Sequence, residues 1–182
     1  MMKVFIGGSR KISKLSSEVL QELNALLAKN LSIVIGDAAG ADKSVQQYLH
    51  ARGYRDVEVF CSGSRCRNNV GDWPIRQVAV NSSKRDFDFY ATKDIRMSEE
   101  ASFGLMIWDG KSAGTLMNVV RLIKQNKKVL IFEAPKDRLL ELKSQSEWNN
   151  FFSACNEEVR LRIEKLSGTD SKIATPVQAS LL

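Results

Sequence analysis

The sequence predicts an α/β protein with a doubly wound, Rossmann-like, mostly parallel sheet and a C-terminal helical appendage. Three observations lead to this prediction. Short apolar segments alternate along the chain with segments of helical periodicity. The strand segments are continuously apolar instead of alternating with polar residues, which is typical of parallel strands covered on both faces. Crossovers between parallel strands are almost always right-handed, so a doubly wound sheet is the simplest topology for this order.

The individual elements follow from short sequence patterns. The predicted strands are Lys3–Ile6, Leu31–Ile35, Val57–Cys61, Phe103–Trp108 and Lys128–Phe132. Helices are predicted between them, and their apolar residues recur three and four positions apart in the segments Ser16–Leu27, Val45–Leu49, Phe87–Ala101 and Leu116–Ile123. Ser16 is the expected N-cap of the first of these helices. The stretch Ser62–Ser83 is long for a structureless loop, so it is expected to be functional or to contain short elements.

The chain divides into two predicted parts. Residues 1–134 form a Rossmann-like nucleotide-binding domain, and residues 135–182 form a C-terminal helical extension and tail. Apolar residues in the extension recur at helical spacing and should share one face of a helix: Trp148, Phe151, Phe152, Cys155, Val159 and Ile163. This apolar face is expected to pack on the domain or on a second subunit, and a homo-oligomer, in the simplest case a homodimer, is predicted. The tail is expected to begin at Ser167.

Composition excludes several classes of protein. Hydrophobic residues are 43% and charged residues 26% of the 182 residues, which is close to the average for globular proteins and excludes disordered and collagen-like chains. No apolar run approaches the roughly 20 residues of a membrane span. The first apolar run is too short for a signal peptide, and three cysteines do not pair evenly, so a reducing cytoplasm is predicted. The net charge of +6 fits a phosphorylated ligand, nucleic acid or a solvated surface.

Three glycine-rich turns follow predicted strands, at Gly7–Arg10, Gly36–Asp42 and Asp109–Thr115. Glycine allows the backbone to approach a ligand, and the N–H groups that begin a helix favour an anion. If the first strand lies centrally, the turns meet where the strand order reverses. A phosphate or carboxylate site is therefore predicted there. The sequence contains neither a P-loop nor a Gly-x-Gly-x-x-Gly motif, so no dinucleotide or other cofactor is predicted. No metal is predicted either.

Gly8-Ser9-Arg10, Gly36-x-x-x-Gly40-Ala41-Asp42 and Gly114-Thr115 resemble motifs of the SLOG superfamily of Rossmann-like domains. This superfamily includes the Lonely-Guy phosphoribohydrolases, the DNA-processing protein A family and the YpsA- and YspA-like proteins, and the YspA-like branch is the most similar. The resemblance extends over about Lys3–Phe132. It implies a nucleotide or nucleotide-derived ligand whose phosphate is held by Gly8-Ser9 and Gly114-Thr115. Asp42 would close the pocket or contact a sugar hydroxyl.

Two positions depart from the Lonely-Guy motifs. Asn118 stands where that family has its catalytic glutamate, and an amide cannot act as a carboxylate base. Lys93 stands where the family has an arginine, and a lysine cannot form the bidentate contact of a guanidinium group. Both departures argue against the phosphoribohydrolase reaction in its usual form. The ligand-binding residues predicted from the turns and the resemblance are Gly8, Ser9, Arg10, Gly36, Gly40, Asp42, Lys93, Gly110, Ser112, Gly114, Thr115 and Asn118.

Several side chains have both a functional and a structural interpretation. Asp94 and Asp109 are the candidate catalytic acids for chemistry at an N-glycosidic bond, although aspartate also commonly caps helices. Trp73 and Trp108 could stack on a base or belong to the core. The positive charge expected at the mouth of the pocket comes from Arg65, Arg67 and Arg76.

The preferred hypothesis is a protein that binds a nucleotide or nucleotide derivative, as a sensor or as an enzyme acting on an N-glycosidic bond. A DNA-binding protein of the DNA-processing type is the first alternative, which the positive charge favours. A non-catalytic interaction domain that dimerises through the Trp148–Ile163 segment is the second. The expected partner is a phosphorylated small molecule or nucleotide, then nucleic acid, and no membrane is expected.

Overall fold

The structure is a computed structural model of the chain that describes residues 2–80 and 86–173, with side chains described as far as residue 168. Strands and helices alternate through most of this part of the chain. The strands are β1 (Lys3–Gly8), β2 (Ser32–Gly36), β3 (Val57–Ser62), β4 (Ile75–Val78), β5 (Phe103–Trp108), β6 (Val129–Glu133) and β7 (Arg138–Leu142). The helices are α1 (Ser17–Ala28), α2 (Ala41–Ala51), α3 (Phe87–Glu100), α4 (Ala113–Lys124), α5 (Gln145–Ser153) and α6 (Glu157–Ile173).

The strands form one sheet in the order β4-β3-β2-β1-β5-β6-β7. All neighbouring strands are parallel except β6 and β7. The central strand β1 pairs on both edges, so that Val4 is in register with Ile33 of β2 and with Phe103 of β5. The chain builds outwards from β1 to β4 and then returns to the other side of β1 for β5 and β6. The doubly wound, Rossmann-like class is thus confirmed, and the strand order reverses between β1 and β5.

The core has one apolar layer on each face of the sheet, because successive side chains of a strand point to opposite faces. Val4 and Ile6 of β1 pack with the layer that includes Val19, Leu23, Val45 and Leu49 of α1 and α2. Phe5 packs with the layer that includes residues of α4, α5 and α6. Both faces of β1, β2 and β5 are covered, which explains why these segments are continuously apolar.

Serine side chains cap the starts of α1, α4 and α5. The hydroxyl of Ser16 accepts a hydrogen bond from the Val19 N–H at 3.3 Å, and this cap is the one predicted from the sequence. The Ser112 hydroxyl accepts from the Thr115 N–H at the start of α4 in the same way. The cap of α4 fixes the position of that helix end at the carboxyl edge of the sheet.

Three features differ from the elements predicted above or add to them. The stretch predicted over residues 62–83 contains the short strand β4, while residues 81–83 lie outside the described part of the chain. The helical extension begins with an additional strand, β7, antiparallel to β6 after a turn in which Asp137 has φ 46°. The apolar pattern from Trp148 to Ile163 belongs to two helices, because Asn156 interrupts it and accepts a hydrogen bond from the Val159 N–H.

The apolar faces of α5 and α6 pack on the domain itself. Trp148, Phe151, Val159 and Ile163 belong to the same buried layer as Leu116 of α4. The tail expected from Ser167 is helical as far as Ile173, and residues 174–182 lie outside the described part. Among the described residues, no helix combines the length and the hydropathy that crossing a membrane requires.

Candidate ligand-binding site

A cavity of about 520 Å³ lies where the strand order reverses, at the carboxyl ends of β1 and β5. Ligands of doubly wound proteins bind in this position because the adjacent loops diverge to opposite faces of the sheet. Residues from all three predicted turns and from α3 line the cavity. The sequence-predicted site residues that it brings together are Gly8, Ser9, Arg10, Asp42, Lys93, Asp94, Asp109, Ser112, Gly114, Thr115 and Asn118.

The first turn is held close to β5 by its backbone. The Ser9 N–H donates to the Ile107 carbonyl at 2.9 Å, and the Ser9 carbonyl accepts from the Ala41 N–H at the start of α2. A Cβ on Gly8 would lie 2.5 Å from the Ile107 carbonyl oxygen, so the close approach of β1 to β5 requires glycine there. Gly8 therefore has a packing role even though it lines the cavity.

The α4 helix begins directly at the cavity. Its first turn contains backbone N–H groups without partners inside the helix, which favours an anion. The space in front of Gly114 is open, since a Cβ at this position would meet no atom closer than the Phe87 ring at 4.0 Å. The Thr115 hydroxyl donates to the Ser112 hydroxyl at 3.0 Å, so both side chains are positioned before any ligand arrives.

Asp109 organises the loop between β5 and α4. Its carboxylate accepts the backbone N–H groups of Lys111 at 3.0 Å and Ser112 at 2.7 Å. Partial burial opposes the charge, but these hydrogen bonds outweigh it and lower the pKa of Asp109. The carboxylate is thus kept ionised and faces the loop backbone, an arrangement that suits a structural acceptor better than a proton donor.

The floor of the cavity contains a buried cluster of charges. The Lys93 side chain is 4% exposed, and its ammonium lies 2.7 Å from Asp94 Oδ1. Burial opposes this charge, but attraction to Asp94, Asp42 and Asp37 outweighs burial and raises the pKa of Lys93. Asp42 accepts the Ala38 N–H at 3.2 Å. Burial dominates at Asp42 and raises its pKa to about 6, despite the nearby lysine.

Asn118 links this cluster to α4. Its amide nitrogen lies 3.4 Å from Asp94 Oδ2, and its oxygen accepts from the Arg121 guanidinium at 2.5 Å. Both Asn118 and Arg121 are buried. The amide is therefore held with its donor side towards Asp94, which a glutamate at the same position could not reproduce without placing two carboxylates side by side.

Cationic side chains surround an aromatic ring at the cavity. Two guanidinium groups lie over the ring of Tyr90 of α3, with the Arg10 Cζ 4.9 Å and the Arg67 Cζ 4.4 Å from the ring centroid. Arg67 also pairs with Asp37, whose side chain is 2% exposed. Lys11, Lys111 and Arg162 contribute further positive charge to the lining. Of the three arginines proposed from the sequence, Arg67 is part of the lining. Arg65 and Arg76 are not, and Arg76 pairs with Glu58 and Glu100.

Three of the predicted glycines lie outside the cavity lining. A Cβ on Gly36 would collide with Asp42 and Lys93, so Gly36 makes room for the buried charges. Gly40 has φ 77° and packs against the Arg10 backbone, so it serves the turn before α2. Gly110 has φ 80°, faces Pro135 and lines a second cavity near β7. Close packing at Gly36 and turn geometry at Gly40 and Gly110 explain these glycines without a ligand.

The aromatic residues of the cavity are different from the ones considered in the sequence. Trp73 and Trp108 are 5% and 3% exposed and belong to the apolar core layers, so base stacking by either ring is excluded. Phe87 and Tyr90 line the cavity instead. Both precede Lys93 on α3. Because Lys93 is predicted at the site, helical periodicity could also have indicated Tyr90, which lies one turn earlier.

No protein-family model and no curated protein matches the chain. The same fold is found in the solved structure of DNA processing protein A from Helicobacter pylori, which is described for its unique single-stranded DNA binding mode. The two chains are 16% identical, with a TM-score of 0.56, and the match covers 92% of this chain and 81% of that chain. The similarity supports the Rossmann-like fold that this chain shares with DNA processing protein A.

Proposed function

We propose that this protein binds a nucleotide or a nucleotide derivative, with the phosphate held in the cavity between the β1 turn and the start of α4. The observation that carries the proposal is that Ser9 and Thr115, 106 positions apart in the sequence, line one cavity at the reversal of strand order. The open space in front of Gly114 leaves room for an anion at the helix N-terminus. The resemblance of these turns to SLOG domains supports the same ligand class.

The distribution of charge in the cavity also fits a phosphorylated ligand. Arg10, Arg67 and Arg162 provide cations towards the mouth, while Asp42 and Asp94 lie with Lys93 on the floor. A nucleotide placed with its phosphate at α4 would direct its sugar towards acidic groups, which accept hydrogen bonds from hydroxyls. The cavity volume of about 520 Å³ falls within the range of small-molecule sites.

If the protein acts on an N-glycosidic bond, Asp94 is the better of the two candidate acids. Asp109 holds the β5–α4 loop through two backbone hydrogen bonds. Loss of these hydrogen bonds during catalysis would disturb the start of α4. Asp94 lines the cavity and is oriented by Lys93 and Asn118. Binding without catalysis requires neither group to react, so the binding proposal does not depend on this assignment.

Single-stranded DNA is the second candidate ligand. The observation that favours it is the similarity in fold to DNA processing protein A, whose structure was reported together with a single-stranded DNA binding mode. Arginine and lysine side chains at the cavity mouth could contact a phosphate backbone, and Tyr90 could stack on a base. In this case the cavity would hold one nucleotide of a longer strand.

Salt dependence separates the two candidates. Binding of the four common ribonucleoside 5′-monophosphates and of an oligothymidylate would be measured by calorimetry between about 50 and about 200 mM salt, a range over which multiple phosphate contacts lose affinity steeply. The first proposal expects at least one monophosphate to bind with a shallow salt dependence. Steep, salt-sensitive binding of the oligonucleotide without any monophosphate binding would favour the second candidate. If neither a monophosphate nor the oligonucleotide binds, both candidate functions are overturned.

The ligand itself is best identified from the protein as purified. Denaturing the purified chain and analysing the released small molecules by mass spectrometry would show whether a nucleotide was carried along. A thermal-shift panel of nucleotides would then rank candidates, since a ligand that binds the native state raises its stability.

A further inference from the structure

A disulfide bond closes the loop that follows β3. Cys61 is the penultimate residue of β3 and is fully buried, Cys66 is partly exposed, and their Cα atoms are 5.2 Å apart. The closed loop is short, with a sequence separation of 5, so the bond restricts the unfolded chain less than a disulfide that closes a longer loop. The position of this disulfide therefore indicates its role better than its contribution to global stability does.

Arg67, the residue after Cys66, is fixed by Asp37. The Arg67 backbone N–H and Nε each donate to Asp37 Oδ2 at 3.0 Å, and Nη2 donates to Oδ1 at 2.5 Å. The neighbouring Asn68 amide donates to the Asp37 carbonyl at 2.8 Å. The guanidinium of Arg67 then lies over Tyr90 at the ligand cavity. A covalent link one residue away thus restrains a side chain of the candidate site.

Asp37 also lies beside the sulfur atoms. One carboxylate oxygen and the two Sγ atoms of Cys61 and Cys66 lie within 4.8 Å of one another. The loop, its disulfide and the anchor of Arg67 are thus parts of one small unit at the carboxyl ends of β2 and β3.

We propose that Cys61–Cys66 is a thiol–disulfide exchange site for a dithiol reductant, and that opening the bond releases Arg67 from Asp37 and weakens ligand binding in the cavity. The effect on the ligand rests on the proposed function above; the exchange itself and the release of Arg67 do not. In the reducing compartment predicted from the sequence, disulfides are usually transient and serve catalysis or redox sensing.

The exchange proceeds in two balanced steps. A thiolate of the reductant attacks the Sγ of Cys66, the more exposed sulfur, and the Sγ–Sγ bond breaks. Cys61 leaves as a thiolate and takes up a proton. The second thiol of the reductant loses its proton and attacks the mixed disulfide, which releases Cys66 as a thiolate that is then protonated. The reductant becomes a disulfide, and the protein gains two electrons and two protons.

The test compares the full chain before and after treatment with dithiothreitol, with a chelator present so that Asp37 and the freed thiols hold no metal. Alkylation followed by mass spectrometry should label Cys61 and Cys66 only after reduction. Hydrogen exchange of the Arg67 amide should then become at least tenfold faster. Affinity for the best-binding ribonucleoside monophosphate should fall at least threefold.

Two variants control the experiment. Cys155→Ser should keep the full response, because Cys155 is outside the disulfide. In the double variant Cys61→Ser/Cys66→Ser, the amide hydrogen of Arg67 should exchange fast with or without dithiothreitol. Alkylation of both cysteines in the untreated chain, or an unchanged Arg67 exchange rate after reduction, would overturn the proposal. A faster exchange in a chain that binds no nucleotide in either state would support the exchange site and overturn the proposed function alone.

Discussion

Gly36 of β2 lies directly against the buried ammonium of Lys93. A Cβ on Gly36 would lie 2.6 Å from Lys93 Nζ and would also collide with the Asp42 carboxylate. Gly36 ends β2, so the absence of its side chain lets the ammonium of α3 sit directly against the sheet. The glycine that the sequence suggested as part of a ligand loop therefore serves the buried charges beneath the cavity.

Replacing Gly36 with alanine should lower the free energy of unfolding by about 1–3 kcal/mol, the usual cost of overpacking a close-packed site. Gly114→Ala is the matched control, because its Cβ enters open space and alanine favours a helix. Urea denaturation of the two variants gives the comparison. Equal stability of Gly36→Ala and wild type would show that Lys93 has room to move aside.

Asp42 should make stability depend on pH in a defined direction. Its pKa in the folded state is about 6, above the 3.8 of an unperturbed aspartate, because burial opposes the charge. A raised pKa means that the folded state binds the proton more tightly, so the contribution is complete below about pH 4 and is lost as the pH rises through about 6. The difference between the two values corresponds to about 3 kcal/mol.

The measurement is the free energy of unfolding of wild type relative to Asp42→Asn at pH 4, 5, 6 and 7. The wild type should lose stability relative to the variant across this range, since asparagine keeps the acceptor for the Ala38 N–H without titrating. Taking the difference removes the opposite contributions of Asp37 and Asp109, whose pKa values are lowered. Parallel curves for the two proteins would contradict the assignment of this pKa to Asp42.

The fold was predictable from the sequence because its strands are covered on both faces and are therefore continuously apolar. The strand β7 was not predictable in the same way. Arg138, Leu139 and Leu140 at its start are exposed or half-buried, as suits an edge strand, and only Leu142 is deeply buried. Its pairing depends on the turn after β6, and no local pattern distinguishes such a short segment from a loop.

The candidate site was predictable where it consists of backbone turns and less so where it consists of side chains from distant elements. The turns containing Ser9 and Thr115 follow strands, and parallel strands bring their carboxyl ends to one edge. Asp37 and Arg67 form their ion pair across 30 positions of sequence, and nothing local indicates it. The same holds for Tyr90, whose environment is set by Arg67 from a loop.

Gly114→Asp should abolish nucleotide binding and leave the fold intact. The new side chain enters open space, so no steric cost is expected, and an acidic residue in the first turn suits the helix dipole. Its carboxylate would occupy the position proposed for the phosphate. Calorimetry with the best-binding monophosphate measures the loss of binding, and a thermal melt shows whether the fold is intact. Gly114→Ala is the control that separates the effect of the added Cβ from that of the added charge, and unchanged affinity in a folded Gly114→Asp variant would refute the site.

The protein should release no free base from nucleoside 5′-monophosphates at ordinary enzymatic rates. Asn118 stands at the glutamate position of the Lonely-Guy motif, and its amide is held by Arg121 and faces Asp94. It therefore supplies neither a base nor a negative charge to the sugar. Chromatography of the reaction mixture checks this, with Gly114→Asp as the preparation control. Base release by the wild type, beyond that of the variant, would contradict the prediction.

Arg162 is a test of whether the helical extension takes part in binding. It lies on α6 within the segment predicted as an extension, yet it lines the cavity. Its ion pair with Glu158 at 2.9 Å is exposed, with side chains 60% and 75% accessible, so it holds the arginine only weakly and leaves it available to a ligand. Arg162→Glu changes the charge by two units and should lower affinity for the monophosphate at least about fivefold, even in the solvent-like dielectric near the mouth. The free energy of unfolding should change by less than about 0.5 kcal/mol, as for other exposed positions.

The control is Lys124→Glu at the far end of α4, which alters the net charge equally and should bind like wild type. If both variants bind alike, α6 supports the fold only, and the ligand is held by residues that precede β7.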